Sequence, residues 1–129
     1  MTDHLTGRIL VVCTGNICRS PYIERLLARA LSDTQIQVSS AGTGALVGEP
    51  MHPESATRVT AAGADAEGFL ARQISTDMVR ESDLVIAASR DHAGDAIRLH
   101  PRAMKYSFSL PDLADLLDGC PVTAINASP

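Results

Sequence analysis

The apolar run Ile9-Leu10-Val11-Val12 passes without a break into Cys13-Thr14-Gly15-Asn16-Ile17-Cys18-Arg19-Ser20-Pro21. A short aliphatic run with no polar alternation reads as a strand buried on both faces, the kind found in parallel sheets covered by helices. Beyond Pro21 the pattern changes to helical spacing, with Ile23, Leu26, Leu27, Ala30 and Leu31 on one side. Strand, tight loop and helix in that order constrain the chain to an α/β architecture. They also place the loop at the carboxyl end of the strand, the edge where such sheets bind ligands.

The composition of the loop states a chemistry. Cys13 opens it and Arg19 closes it, with five residues between. Backbone N–H groups of a short loop entering a helix converge on an anion. Gly15 and Asn16 are the residues that accept a positive φ, which such a turn needs. Arg19 offers a planar fork for two oxygens of a tetrahedral anion. The same positive environment favours the thiolate of Cys13, which makes it a nucleophile. A thiolate behind a bound phosphoryl group attacks phosphorus in line, giving a phosphocysteine that water then hydrolyses. Ser20 is placed to hydrogen-bond the Cys13 sulfur and ease its departure in the second step. The phosphate-binding set is therefore Thr14, Gly15, Asn16, Ile17, Cys18, Arg19 and Ser20.

The rest of the chain alternates strand and helix patterns. Ile36 and Val38 alternate with polar residues as a second strand. Gly42 to Pro53 is a long Gly- and Pro-rich loop, and long loops in compact domains are often functional. Pro53 to Ala62 reads as a helix ended at Gly63, and Ser75 or Thr76 caps a short helix to about Glu81. Leu84 to Ala88 is a buried strand, Asp91 to Leu99 a helix stopped near Pro101, and Lys105 to Ser109 a fourth strand. Leu110 to Leu117 is an amphipathic helix that Gly119 ends, and the tail Val122 to Pro129 shows no periodicity. The fold class is thus one α/β domain over residues 1–129, with a central parallel sheet of about four strands.

Composition excludes several classes. A net charge of −4 lacks the basic stripe of a nucleic-acid binder. No apolar stretch approaches the ~20 residues of a membrane span, and Met1-Thr2-Asp3-His4 does not open a signal peptide. Three cysteines form no disulfide framework. A nucleophilic thiol needs a reducing compartment, which points to the cytoplasm. His4, His52, His92 and His100 show no metal-ligand spacing, so no metal is expected and surface or capping roles are assigned to each. Cys120 is assigned no role.

The sequence CTGNICRSP resembles the active-site loop of the low-molecular-weight protein tyrosine phosphatases. The likeness continues through Glu24, through Ser40-Ala41-Gly42-Thr43-Gly44, through Gly48-Glu49-Pro50 and Pro53, and through Ala71-Arg72-Gln73-Ile74 and Asp83-Leu84-Val85-Ile86. It covers about residues 7 to 100. The resemblance implies hydrolysis of phosphotyrosine, or of small aryl phosphates, with Cys13 as nucleophile, Arg19 as clamp and no cofactor. It implies that Ser40 and Ser20 hold Asn16 in a left-handed conformation. It implies that Cys18 is a spare thiol able to trap an oxidised Cys13; the alternative is that Cys18 packs under the loop. Ile17, where arginine-phosphatase relatives carry Thr, favours an aryl ester.

The departures are equally specific. The family takes its general acid from a late Asp-Pro loop, and this chain has no Asp-Pro dipeptide. Asp112 follows Pro111 and reads as a helix N-terminal charge rather than an acid. The chain ends about where that acid loop begins in the family, leaving truncation, an acid elsewhere or weak activity as alternatives. Leu46 replaces a large aromatic, Phe69 a histidine, and Ala88-Ser89 a Met-Asp pair. Two other functions remain open: a thiol-dependent arsenate reductase, and a catalytically impaired phosphotyrosine-binding regulator.

Overall fold

Residues 5–118 are described by a computed structural model of the chain. The expected end at Gly119, Cys120, the tail and Met1 to His4 lie outside the described residues. The first strand, β1 (Thr6–Cys13), is exposed at its start and fully buried from Leu10 to Cys13, as an uninterrupted aliphatic run requires. It pairs in parallel with β2 (Gln35–Gly42) on one side and with β3 (Leu84–Ala87) on the other, so that Val12 faces both Ala41 and Ala87. A short β4 (Ser107–Ser109) adds to β3, giving the order β2-β1-β3-β4, all parallel.

Side chains alternate across the sheet. Leu10 and Val12 point into a core with Val79, Val85, Ala87, Ala93 and Ala96. That face is covered by α3 (Thr76–Arg80) and α4 (Arg90–Leu99). Val11 and Cys13 point the other way, toward the layer of α1 (Arg19–Ala30) and α2 (Pro53–Ala61). A smaller cluster of Met51, Val59, Phe69 and Ala71 holds α2 to the 64–72 segment, with Ile17 and Tyr22 packed against it. The core is largely aliphatic, with Phe69 the one buried aromatic among the described residues, and α5 (Leu110–Asp118) follows β4 directly. Among the described residues, no helix is long and apolar enough to cross a membrane.

Caps set the helix boundaries. Ser75 accepts from the Met78 N–H and Ser89 from the His92 N–H, which start α3 and α4. Two boundaries differ from expectation. The fourth strand starts at Ser107 rather than Lys105, because residues 101–105 form a 3-10 helix that Pro101 opens where it stops α4. The first helix opens at Arg19, so Pro21 lies in its first turn rather than at its start, where its missing N–H still costs no helical bond.

In this strand order the chain turns one way from β1 to β2 and the other way to reach β3. The loops after β1 and β3 therefore diverge at a topological switch point, the crevice where open α/β sheets bind ligands. The Cys13–Arg19 loop lies at that point.

Candidate active site

The loop is held from outside by its carbonyls. Those of Cys13, Thr14, Gly15 and Ile17 accept from the N–H groups of Thr43, Gly44, Leu46 and His52, at 2.8–3.0 Å. The Cys18 carbonyl accepts from Ser55 Oγ at 3.1 Å. The long loop after β2 thus acts as a splint. With the carbonyls turned outward, the N–H groups from Thr14 to Cys18 find no acceptor among the described residues. They are left to converge at the uncapped start of α1, the donor set an oxyanion needs. Gly42 makes the splint possible, since a Cβ there would lie 2.3 Å from the Thr14 carbonyl oxygen.

Asn16, not Gly15, takes the positive φ, at 58°. Its side chain is fully buried and uses all it has. Nδ2 donates to Ser20 Oγ and Ser40 Oγ, both at 2.9 Å, and Oδ1 accepts from the Arg72 N–H at 2.9 Å. The direction of the hydrogens follows from one end. The Glu24 carboxylate, ion-paired with Arg25 at 2.8 Å, can only accept. Ser40 therefore donates to Glu24 Oε1 at 2.7 Å and must accept from Asn16. Ser20 also accepts from Asn16, so its own hydrogen is free for Cys13 Sγ, 2.8 Å away. A buried chain from Glu24 through Ser40, Asn16 and Ser20 thus presents a donor to the sulfur. That bond stabilises a thiolate, both before attack and when it departs.

Cys13 is 3% exposed and Cys18 is exposed, both as free cysteines. Arg19, the first residue of α1, is exposed and has no carboxylate partner among the described residues. Its guanidinium is available to an anion. Ile17 is half-buried against the Met51–Val59 cluster and so anchors the loop as well as bordering it. Leu46, half exposed, supplies an apolar rim. Of the expected phosphate-binding set, Thr14 to Cys18 form the loop and Arg19 and Ser20 open α1, with Ser40 bonded to Asn16.

Phe69 does not reach the Asn16 network; it is buried with Met51 and Val59 and carries Arg25 over its ring at 5.6 Å. The Arg72 backbone takes the position at Asn16 Oδ1. His52 caps α2 through Nδ1, as a capping role predicts. His92 is half-buried at the capped start of α4 and does more than cap: Nε2 lies 2.7 Å from Thr14 Oγ1 and Nδ1 lies 2.6 Å from Ser89 Oγ. The sequence reading missed this contact. The available signal was the Ser89-x-x-His92 helix start directly after a buried strand.

Asp112 stands at the start of α5, as its helix-charge reading requires, and is gripped by Arg90 through Nε at 3.0 Å and Nη2 at 2.6 Å. The guanidinium bonds hold its carboxyl below the ordinary carboxylate range, with help from Ser109, and in turn raise Arg90. A carboxyl kept ionised is the wrong form to donate a proton.

Comparison with known proteins follows the same lines. Residues 8–114 match the family model described as low molecular weight phosphotyrosine protein phosphatase. The chain is 46% identical over 86 residues to the low molecular weight protein-tyrosine-phosphatase Wzb of Salmonella typhi, a match that covers 67% of this chain and 56% of the relative. It thus spans little more than half of that relative's length. Its structure resembles the tyrosine phosphatase AmsI of Erwinia amylovora, with a TM-score of 0.75 and 34% identity over 81% of this chain and 68% of that one. It also resembles Vibrio vulnificus Wzb in complex with benzylphosphonate, with a TM-score of 0.73 and 30% identity over 81% of this chain and 72% of that one. The chain belongs to the low-molecular-weight phosphotyrosine protein phosphatase family.

Proposed function

We propose that this chain hydrolyses phosphotyrosine, or small aryl phosphates, through a phosphocysteine at Cys13. The observation that carries the reading is the Cys13 sulfur, 2.8 Å from the Ser20 hydroxyl, beside a loop whose N–H groups find no acceptor among the described residues. The thiolate attacks phosphorus as the P–O bond to the aryl group breaks. The electron pair leaves on the phenolic oxygen. Water then attacks phosphorus, the P–S bond breaks, and inorganic phosphate leaves as the thiolate returns. Arg19 and the loop amides at Thr14, Gly15, Asn16, Ile17 and Cys18 bear the charge of both transition states, so no metal or organic cofactor is needed. A relative's complex with benzylphosphonate, an aryl-bearing oxyanion, supports the substrate class. Residues 1–129 act as one phosphatase-like domain, in a reducing, cytoplasmic setting suited to a nucleophilic thiol. Neither nucleic acid nor membrane is a partner.

Asp112, held by Arg90, is not the general acid in this reading. That pairing gives weight to a second reading, a phosphotyrosine-binding protein of low turnover. Stopped-flow and steady-state release of nitrophenol from para-nitrophenyl phosphate separate the two. A stoichiometric burst followed by turnover supports the phosphatase, and a burst with almost no turnover supports the binding protein. Cys13→Ser abolishes the burst while still binding phosphate. Arg19→Lys loses most of the rate, because a point charge does not replace a bidentate fork. A normal burst in either variant removes the phosphocysteine mechanism. Thiol-coupled reduction of arsenate by the purified protein, in place of ester hydrolysis, would establish the reductase alternative.

A further inference from the structure

We propose that His92 is a positioning residue for the phosphate loop, orienting the Thr14 hydroxyl as a further hydrogen-bond donor to the bound oxyanion. The proposal deepens the phosphatase reading and rests on it. Its starting point is the place of the contact. Thr14 follows the nucleophile at the end of β1, and His92 lies in the first turn of α4, after β3. These strands are neighbours at the switch point. The hydrogen bond between Thr14 Oγ1 and His92 Nε2, 2.7 Å long, therefore spans the crevice in which an α/β sheet binds its ligand.

The direction of this bond follows the ring tautomer, which is coupled to the Ser89 hydroxyl on the far side of the ring. Ser89 caps α4, and its Oγ accepts the His92 N–H at 3.3 Å. That leaves Ser89 one hydrogen and one lone pair toward Nδ1, 2.6 Å away, and in the proposed arrangement the hydrogen is donated. A ring that accepts at Nδ1 carries its hydrogen on Nε2. Nε2 then donates to Thr14 Oγ1, and the Thr14 hydrogen is turned away from His92. The opposite tautomer has Thr14 donating to Nε2 and presents only oxygen lone pairs to an anion. The backbone of Thr14 is already fixed, because its carbonyl accepts from Gly44 at 3.0 Å and Gly42 packs against it. The hydroxyl rotor is the freedom left, and the Ser89–His92 pair sets it. Thr14 is exposed, so its hydrogen has access to the anion held by the adjacent loop.

The test uses the burst rate constant with para-nitrophenyl phosphate, whose leaving group departs without an acid, and the affinity for inorganic phosphate by calorimetry. Thr14→Val keeps the shape and removes the hydroxyl. It is expected to slow the burst and weaken phosphate binding about tenfold, the scale of one hydrogen bond to a charged group. Thr14→Ser restores both to within about twofold. His92→Leu gives the same loss as Thr14→Val, His92→Gln recovers part of it, and the double variant Thr14→Val/His92→Leu is no worse than either single one. Additive losses, a Thr14→Ser variant as poor as Thr14→Val, or unchanged rates and affinities in both single variants overturn the proposal. If the wild-type protein gives no burst above Cys13→Ser, the phosphatase reading fails, and the phosphate affinities still decide whether His92 acts through Thr14. Thermal unfolding of each variant checks that the fold is retained.

Discussion

Replacing Asn16 by alanine tests the site where sequence, backbone and chemistry depend on one residue. The side chain is fully buried and makes three hydrogen bonds of 2.9 Å. Alanine loses all of them, but unequally. Ser20 keeps Cys13 and Ser40 keeps Glu24, so those two losses cost about 1 kcal/mol each. The Arg72 N–H keeps no partner, and an unsatisfied donor costs about 1–3 kcal/mol. The φ of 58° adds about 1 kcal/mol for a residue less tolerant of it than Asn. The sum is about 4–6 kcal/mol, among the larger single-residue effects, and corresponds to a fall in Tm of about 15–25 °C for a domain of this size. Asn16→Gly loses the same bonds and is spared the dihedral cost of about 1–2 kcal/mol. Against that stands about 0.4–1 kcal/mol of extra unfolded-state entropy. Glycine is therefore expected to melt a few degrees above alanine. Thermal unfolding by circular dichroism, with the nitrophenol burst recorded on the same samples, measures both. A Tm for Asn16→Ala within about 3 °C of wild type, or alanine more stable than glycine, refutes the reasoning.

Two further predictions concern charge and pH. Asp112→Asn leaves nitrophenyl phosphate turnover unchanged between pH 5 and 8, because the carboxyl is tied to Arg90 and held below its ordinary range; a large loss in kcat makes Asp112 the acid after all. Because Arg90 depresses the Asp112 carboxyl, the pair's contribution to stability is full above the ordinary aspartate value, near 4, and disappears as pH falls through the folded value; the Asn variant flattens that acid limb of the Tm profile. Burial raises the Tyr106 phenol, reinforced by the charge of Asp83, while its hydroxyl donates to the Val79 carbonyl at 2.9 Å. Its contribution is full below the ordinary tyrosine value, near 10, and is lost as pH rises through the folded value. Urea midpoints from pH 8 to 11 are expected to fall less steeply in Tyr106→Phe than in wild type, and identical slopes contradict the assignment.

What the sequence made legible, and what it hid, divides along a physical line. Four adjoining aliphatic residues identified β1 because a run with no polar alternation has no solvated face to offer. The loop was readable because an anion site needs particular residue types at fixed offsets along one short segment. Ser40 was found only through family resemblance, since nothing local to Ser39-Ser40 says which serine turns inward. The choice between Gly15 and Asn16 for the positive φ was equally closed to local reasoning. Gly15 is the freer residue, but Asn16 can satisfy three buried partners from that conformation, and those partners come from α1, β2 and the segment before α3. His92 was hidden for the same reason at longer range. Periodicity located α4 and its cap, yet the contact with Thr14, 78 residues away, exists only because β3 lies beside β1 in the sheet. Strand order is a property of the assembled sheet. A histidine at a helix start therefore reads as a cap until the neighbouring strand is known, and the same topology that buries β1 then places its imidazole over the residue that follows the nucleophile.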